Sequence, residues 1–420
     1  MKVLVVGGGG REHAIILKLK ESRKIDKIYC APGNAGISQL AECVNIKATD
    51  IDALVDFAKE NKIDFTVVGM DDPLVMGIID AFEKEGLRAF GPRKNAAIIE
   101  GSKAFSKELM KKYNIPTAKY ETFSDYDEAY SYIKNNKLPI VIKADGLALG
   151  KGVLICNTLD EAEAGLKQIM VDKKFGNSGN KVVIEEFLTG PEVSVLSFCD
   201  GTTVVPMVSA QDHKRAFDGD KGLNTGGMGT FSPSRIYTDE LASVCMEKIF
   251  KPTVDALKKE GREFKGIIYF GLMITEDGPK VIEYNARFGD PETQVILPRL
   301  ENDLLEIFEA CVDGTLDKID VKWKDNAAAC VILASGGYPE SYKKGYVITG
   351  LDKCAERDDI YVYHAGTAFN DNGDFVTNGG RVLGVTGVGE NLDEAIKIAY
   401  QGVELVKFED MHFRKDIGIK

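Results

Sequence analysis

The N-terminal segment constrains the fold most. Residues 2–6, Lys-Val-Leu-Val-Val, form an almost continuous apolar, β-branched run, the pattern of a strand buried on both faces. Gly7-Gly8-Gly9-Gly10 follows and leads into a helical segment from Arg11 to Lys18. A strand, a glycine loop and a helix in that order make a phosphate cradle, because glycine lets backbone N–H groups approach an anion and the helix N-terminus faces it. Without a ligand the same order is simply a tight strand-to-helix turn. A dinucleotide fold would require Gly-x-Gly-x-x-Gly and an acid closing the second strand. Here Glu12 stands at the third glycine position, and the second strand, Lys27-Ile28-Tyr29, runs into Cys30-Ala31-Pro32-Gly33-Asn34. NAD binding is therefore not expected, whereas a phosphate site for another ligand is.

The alternation continues with a helix over 51–59, a strand over 65–68, a helix over 73–85 and a strand over 88–90. This rhythm predicts a doubly wound parallel sheet. Its ligand belongs at the carboxyl ends of the strands, which carry Gly7–Gly10, Asn34 and Asp71-Asp72. From Lys103 the texture changes. Helices over 102–110, 125–134 and 159–170 alternate with strands over 140–143, 153–155 and 182–188, the last closed by Thr189-Gly190-Pro191-Glu192. An α+β subdomain over about residues 117–190 is expected, with the loop 144–152 as a glycine-rich lid and Lys143 anchoring phosphate from the strand. That loop fails the Gly-x-x-x-x-Gly-Lys-[Ser/Thr] pattern, since Gly146 and Gly150 are one spacer short and Gly152 follows Lys151. A hairpin with a solvated lysine is the plainer alternative.

Further on, the strand Val281-Ile282 runs into Glu283, and Asn285 shares its face two residues later. Two neighbouring oxygen ligands suit a hard cation such as Mg²⁺, which completes its shell with phosphate and water. Arg287 continues the alternation, and its fork matches a carboxylate or phosphate. An edge strand with polar residues facing water would look the same in isolation. The tail, with strands over 328–334, 362–367 and 381–387 and a helix over 392–406, reads as a small β-rich closing domain.

Composition narrows the function classes. A chain of 420 residues has room for about three domains at roughly 150 residues each. A formal charge of −12 argues against a nucleic-acid or membrane-surface partner, although a local basic pocket for phosphate is compatible with it. Eight cysteines are scattered without Cys-x-x-Cys spacing, the pattern of reduced thiols in a cytoplasmic protein. The first glycine comes too early for a signal peptide, and no apolar run approaches the ~20 residues needed to span a bilayer. A monomer is expected, with an oligomer left open.

Taken in order, Lys103, Lys143, the glycine lid, Glu185-Glu186-Phe187-Leu188 with Glu192, and the Glu283/Asn285 strand resemble an ATP-grasp ligase. Residues 212–229, residues 287–294, the Arg11-Glu12-His13 helix start and the Ala31–Asn34 turn are similar to the phosphoribosylamine–glycine ligase family within that superfamily. The resemblance implies an N-terminal α/β domain over 1–102, an ATP-grasp domain over 103–325 and a C-terminal domain over 326–420. It also implies ligation of glycine to 5-phosphoribosylamine through a glycyl phosphate, with ATP and Mg²⁺ or Mn²⁺. Lys103, Lys143, Gly150 and Lys151 would meet ATP phosphates, Glu185, Phe187 and Leu188 the adenine, and Glu192 the ribose. Glu283 and Asn285 would hold the metal. Gly9, Gly10, Asn34, Asp212, Lys214, Arg215, Asn224, Thr225, Gly226, Arg287, Gly289, Asp290 and Pro291 would line the substrate pocket, with Arg287, Lys143 and Asp212 closest to the chemistry. One departure stands out: the family's Gly-Pro-Glu-x-Pro-Leu is Gly69-Met70-Asp71-Asp72-Pro73-Leu74 here, which leaves the part played by Asp71 open. Carboxylases of the biotin or aminoimidazole type share the nucleotide features but are not expected to carry both the 212–229 and the 287–294 patterns. A non-catalytic nucleotide sensor would bind ATP without turnover.

Overall fold

The computed structural model describes residues 1–147 and 152–419. Its first unit is a five-stranded parallel sheet in the order 42–43, 27–32, 2–7, 65–68, 89–90. Val3, Leu4, Val5 and Val6 are fully buried, as a strand covered on both faces requires. The chain leaves the central strand in opposite directions, so the loops after Gly7, Pro32 and Val68 share one edge of the sheet. The helix expected over 73–85 is two, Asp71–Met76 and Ile78–Lys84. Gly77 separates them in the left-handed region at φ +103°, a conformation glycine adopts without a Cβ clash.

The α+β subdomain has a four-stranded antiparallel sheet in the order 120–123, 182–186, 140–144, 153–156. The helices Tyr126–Lys134 and Leu159–Met170 share a separate core with it, including Ala129, Ile133, Ile142, Leu166, Ile169 and Ile184. A second antiparallel sheet, ordered 204–206, 192–200, 265–275, 278–285, packs into the same hydrophobic cores as the N-terminal sheet. The C-terminal sheet centres on strands 327–335 and 381–389, and it draws strands 211–212 and 229–232 from earlier in the chain. The closing unit is thus stitched by backbone hydrogen bonds to the segment 211–232.

Candidate active site

Two faces meet between the α+β subdomain and the 278–285 strand. Glu185 is 3% exposed, and its carboxylate lies between two ammonium groups, Lys143 Nζ at 2.9 Å and Lys107 Nζ at 3.1 Å. Lys143 also donates to the Ile282 carbonyl at 2.9 Å, joining the subdomain to the strand that carries Glu283. Lys107 donates to Thr117 Oγ1 at 2.7 Å, and burial pushes its pKa down to about 8 against the pull of Glu185. Lys107 is absent from the sequence-based set, although it sits one helical turn after Lys103 on the helix Lys103–Lys112, a spacing that shares a face. Ser102 caps that helix and donates to Asp145, whose Oδ1 also accepts from Ala104 N–H at 3.1 Å. The cap fixes the start of the helix against the loop that follows Lys143. Lys103 Nζ donates to the Gly146 carbonyl at 2.8 Å, and burial lowers its pKa. Gly150 and Lys151 lie outside the described residues. Phe187 and Leu188 leave the sheet after Glu186, with Phe187 exposed.

Glu283 stands opposite Gly271 on the neighbouring strand and faces Lys214 at 3.2 Å; Lys214 also pairs with Glu192 at 3.0 Å. Lys214, helped by Lys143 and Lys103, holds the Glu283 carboxyl down at about 2 despite burial. Burial works against the Lys214 charge, but Glu192 and Glu283 together raise its pKa well above the ordinary value. For Asn285, the amide orientation that satisfies its neighbours directs Nδ2 to Glu100 Oε1 at 3.0 Å and to the Tyr284 carbonyl at 3.2 Å. The oxygen is then the atom left for a cation. Among the described residues no group of three or more His, Cys, Asp or Glu side chains forms a metal cage. One carboxylate and one amide oxygen nevertheless fit Mg²⁺, which takes few protein ligands when phosphate supplies the rest.

Arg287 pairs with Glu100 Oε1 at 3.0 Å and Asp71 Oδ2 at 3.5 Å. Burial opposes its charge, and these two carboxylates overcome that and raise its pKa. Asp71 therefore reaches the Arg287 cluster despite its shorter side chain. Burial works to raise the Asp71 carboxyl, but Arg287 and Arg11 outweigh it and hold the pKa below the usual value. Glu100 also lies outside the sequence-based set; it sits in the last turn of the helix Lys94–Gly101, where nothing local marks it.

The expected substrate pocket gathers around residues 212–229 and 289–294. Gly227, at φ +114°, packs so closely that a Cβ there would collide with Pro291 at 2.5 Å and Asp212 at 2.7 Å. Burial, with the neighbouring Glu292 carboxylate, pushes the Asp212 carboxyl well above its usual range. Thr225 Oγ1 donates to the Lys214 carbonyl at 2.8 Å and accepts from Gly227 N–H at 3.0 Å. Arg215 and Asn224 pair across a short hairpin whose Arg215 side chain donates outward to the Gly222 carbonyl. A Cβ on Gly289 would collide with Glu292, and one on Gly10 would lie 2.7 Å from Gln294, so the N-terminal loop abuts this turn. The Gly9 N–H is taken by Glu12 Oε2 at 2.7 Å, closing the helix start with a carboxylate at the third glycine position. Asn34 is engaged by backbone: Nδ2 donates to Gly8 and His364 carbonyls at 2.9 and 2.8 Å, and Oδ1 accepts from Ile37 N–H. Its side chain thereby joins the N-terminal loop to the C-terminal sheet. Arg381, also missed from sequence, donates to the carbonyls of Gly226 at 2.7 Å and Asp290 at 2.8 Å.

Comparison with known proteins adds four findings. Family models described as phosphoribosylglycinamide synthetase match the chain in order: the N domain over residues 1–100, the ATP-grasp (A) domain over 101–293 and the C domain over 328–420. A phosphoribosylamine–glycine ligase of Caldanaerobacter subterraneus is 53% identical over 418 residues, covering 100% of this chain and 99% of the relative. The crystal structure of phosphoribosylamine–glycine ligase from Thermotoga maritima is similar at 34% identity, with a TM-score of 0.85 and full coverage of both chains. The biotin carboxylase domain of a Hydrogenobacter thermophilus 2-oxoglutarate carboxylase, at 16% identity and a TM-score of 0.74 over 98% of this chain and 91% of that one, shares the fold alone.

Proposed function

The chain belongs to the phosphoribosylglycinamide synthetase family, and from that membership we infer that it joins glycine to 5-phosphoribosylamine at the expense of ATP, a step of purine biosynthesis. The observation that carries this reading is the match of all three family domains, in order, across the chain. A carboxylate is a poor acyl donor because its leaving group would be oxide. Phosphorylating glycine gives an acyl phosphate, which the amine nitrogen attacks to release phosphate. Phosphoryl transfer asks the protein chiefly for positioning and charge stabilisation.

In this reading Lys103 and Lys143, with Gly150 and Lys151 of the loop, meet the ATP phosphates. Glu185, Phe187 and Leu188 border the adenine, and Glu192 the ribose. Glu283 and Asn285 hold Mg²⁺ or Mn²⁺, which would neutralise charge on the phosphates. Arg287 orients an anionic group of the substrate, and Asp212, Lys214, Thr225 and Gly226 border the acceptor pocket. The ion pairs of Lys143 and Lys214 support this reading, because they bring residues proposed for the nucleotide, Glu185 and Glu192, together with Glu283 of the proposed metal pair through buried or half-buried charges. The division at residues 102 and 325 and a cytoplasmic setting, consistent with eight free cysteines, are parts of the same proposal.

The test is ADP release with ATP and Mg²⁺. Turnover is expected only when glycine and phosphoribosylamine are supplied together. Equal turnover with bicarbonate replacing glycine would overturn the assignment in favour of a carboxylase.

A further inference from the structure

Glu100 accepts from three consecutive residues. Its Oε2 takes the Ala286 backbone N–H at 2.7 Å. Its Oε1 takes the Asn285 amide nitrogen at 3.0 Å and pairs with Arg287 Nη2 at 3.0 Å. The residue is 6% exposed and lies on the helix Lys94–Gly101, across from the strand end it grips. An ionised carboxylate has acceptor sites only, so it can serve all three donors at once, which no amide side chain can do.

We propose that Glu100 is a positioning residue that sets the orientation of the Asn285 amide and the Arg287 guanidinium, and so fixes which Asn285 atom is offered to the metal–nucleotide complex. This deepens, and rests on, the assignment of Glu283 and Asn285 as the metal platform. The argument is one of donor and acceptor parity. With a carboxylate at position 100, Asn285 Nδ2 is drawn toward the helix and Oδ1 is left for a cation. With an isosteric amide, one of the two oxygens becomes an NH₂ that opposes either Ala286 N–H or both Asn285 Nδ2 and Arg287 Nη2. The backbone donor cannot rotate away, so the NH₂ faces the two side chains; Arg287 loses this contact and Asn285 turns to present nitrogen instead. Groups that orient a metal ligand from behind typically alter metal affinity by about 10–100-fold.

The experiment measures binding of ADP by calorimetry with Mg²⁺ and with EDTA, in the natural protein, Glu100→Gln and Glu100→Asp. We expect Glu100→Gln to weaken MgADP binding by about tenfold or more, while metal-free ADP binding changes less than about twofold. Glu100→Asp, which keeps the charge on a shorter arm, should fall between. Equal weakening in both conditions, or none in either, would overturn the proposal. So would failure of both variants to fold, since Glu100 would then be a residue of the fold. If the natural protein itself showed no Mg²⁺ dependence of ADP binding, the assignment of Glu283 and Asn285 would fail first, so the two failures are distinguishable.

Discussion

At the scale of single residues, Glu283 already has a cationic partner. Lys214 neutralises it within the protein, while the proposed chemistry asks it to take a metal as well. A lysine shared with Glu192 suits that exchange, because it retains a partner when Glu283 turns away. Glu283→Gln should therefore remove ADP release by on the order of 100-fold while the protein stays folded. Paired turnover and thermal-melt measurements check this, and an unimpaired variant would refute the metal role. This residue was legible in sequence because the period of a strand puts Glu283 and Asn285 on one face. Glu100 and Lys107 were not legible to the same reading. Their significance comes from what they touch, Asn285 and Glu185, each more than 75 positions away.

At the scale of elements, the N-terminal helix Gly10–Leu19 docks on the strand Ile360–His364 through a pair of histidines. His364 N–H donates to His13 Nδ1 at 2.8 Å, and His364 Nδ1 lies 2.9 Å from Thr367 Oγ1. Burial, and for His13 the neighbouring His364, lowers the two pKa values to about 3 and about 4. Both native values lie below the ordinary 6.5, so as pH falls the unfolded chain takes up protons first. Their neutral forms are compatible with full stability above about pH 6.5, and stability is lost as pH drops from there toward 4 and 3. At pH 5 each buried histidine should cost about 2 kcal/mol relative to neutral pH. His13→Asn keeps an acceptor near the Nδ1 position and removes one titration. The stability difference between pH 7.5 and pH 5, measured by urea unfolding, should shrink by about that amount; an unchanged difference would refute the link. The strand and helix rhythm that builds these elements was readable from period and glycine placement. Breaks within them were less so: Gly77, inside the expected 73–85 helix, takes a left-handed conformation that separates two shorter helices.

At the scale of the whole molecule, the proposed acceptor side is braced by a segment that the sequence assigns to the closing domain. The strand Arg381–Gly389 belongs to the C-terminal sheet, yet its first side chain crosses to the carbonyls of Gly226 and Asp290 and faces Asp290 Oδ1 at 3.4 Å. Those carbonyls belong to two of the stretches, 212–229 and 287–294, that carried the family resemblance. No local pattern could reveal this, because the partners are separated by 155 and 91 positions. The residues proposed for the nucleotide, by contrast, are tied together by other ion pairs, Lys143 with Glu185 and Lys214 with Glu192 and Glu283. Removing Arg381 should therefore separate the two halves of the cleft functionally. Arg381→Ala is expected to lower kcat/KM for phosphoribosylamine by about 10- to 100-fold, the effect of losing charged hydrogen bonds worth ~1.5–3 kcal/mol. ADP affinity should stay within about twofold, and Arg381→Lys should recover part of the loss. Equal damage to ADP binding and to phosphoribosylamine use would mean that Arg381 holds the whole cleft together rather than its acceptor side.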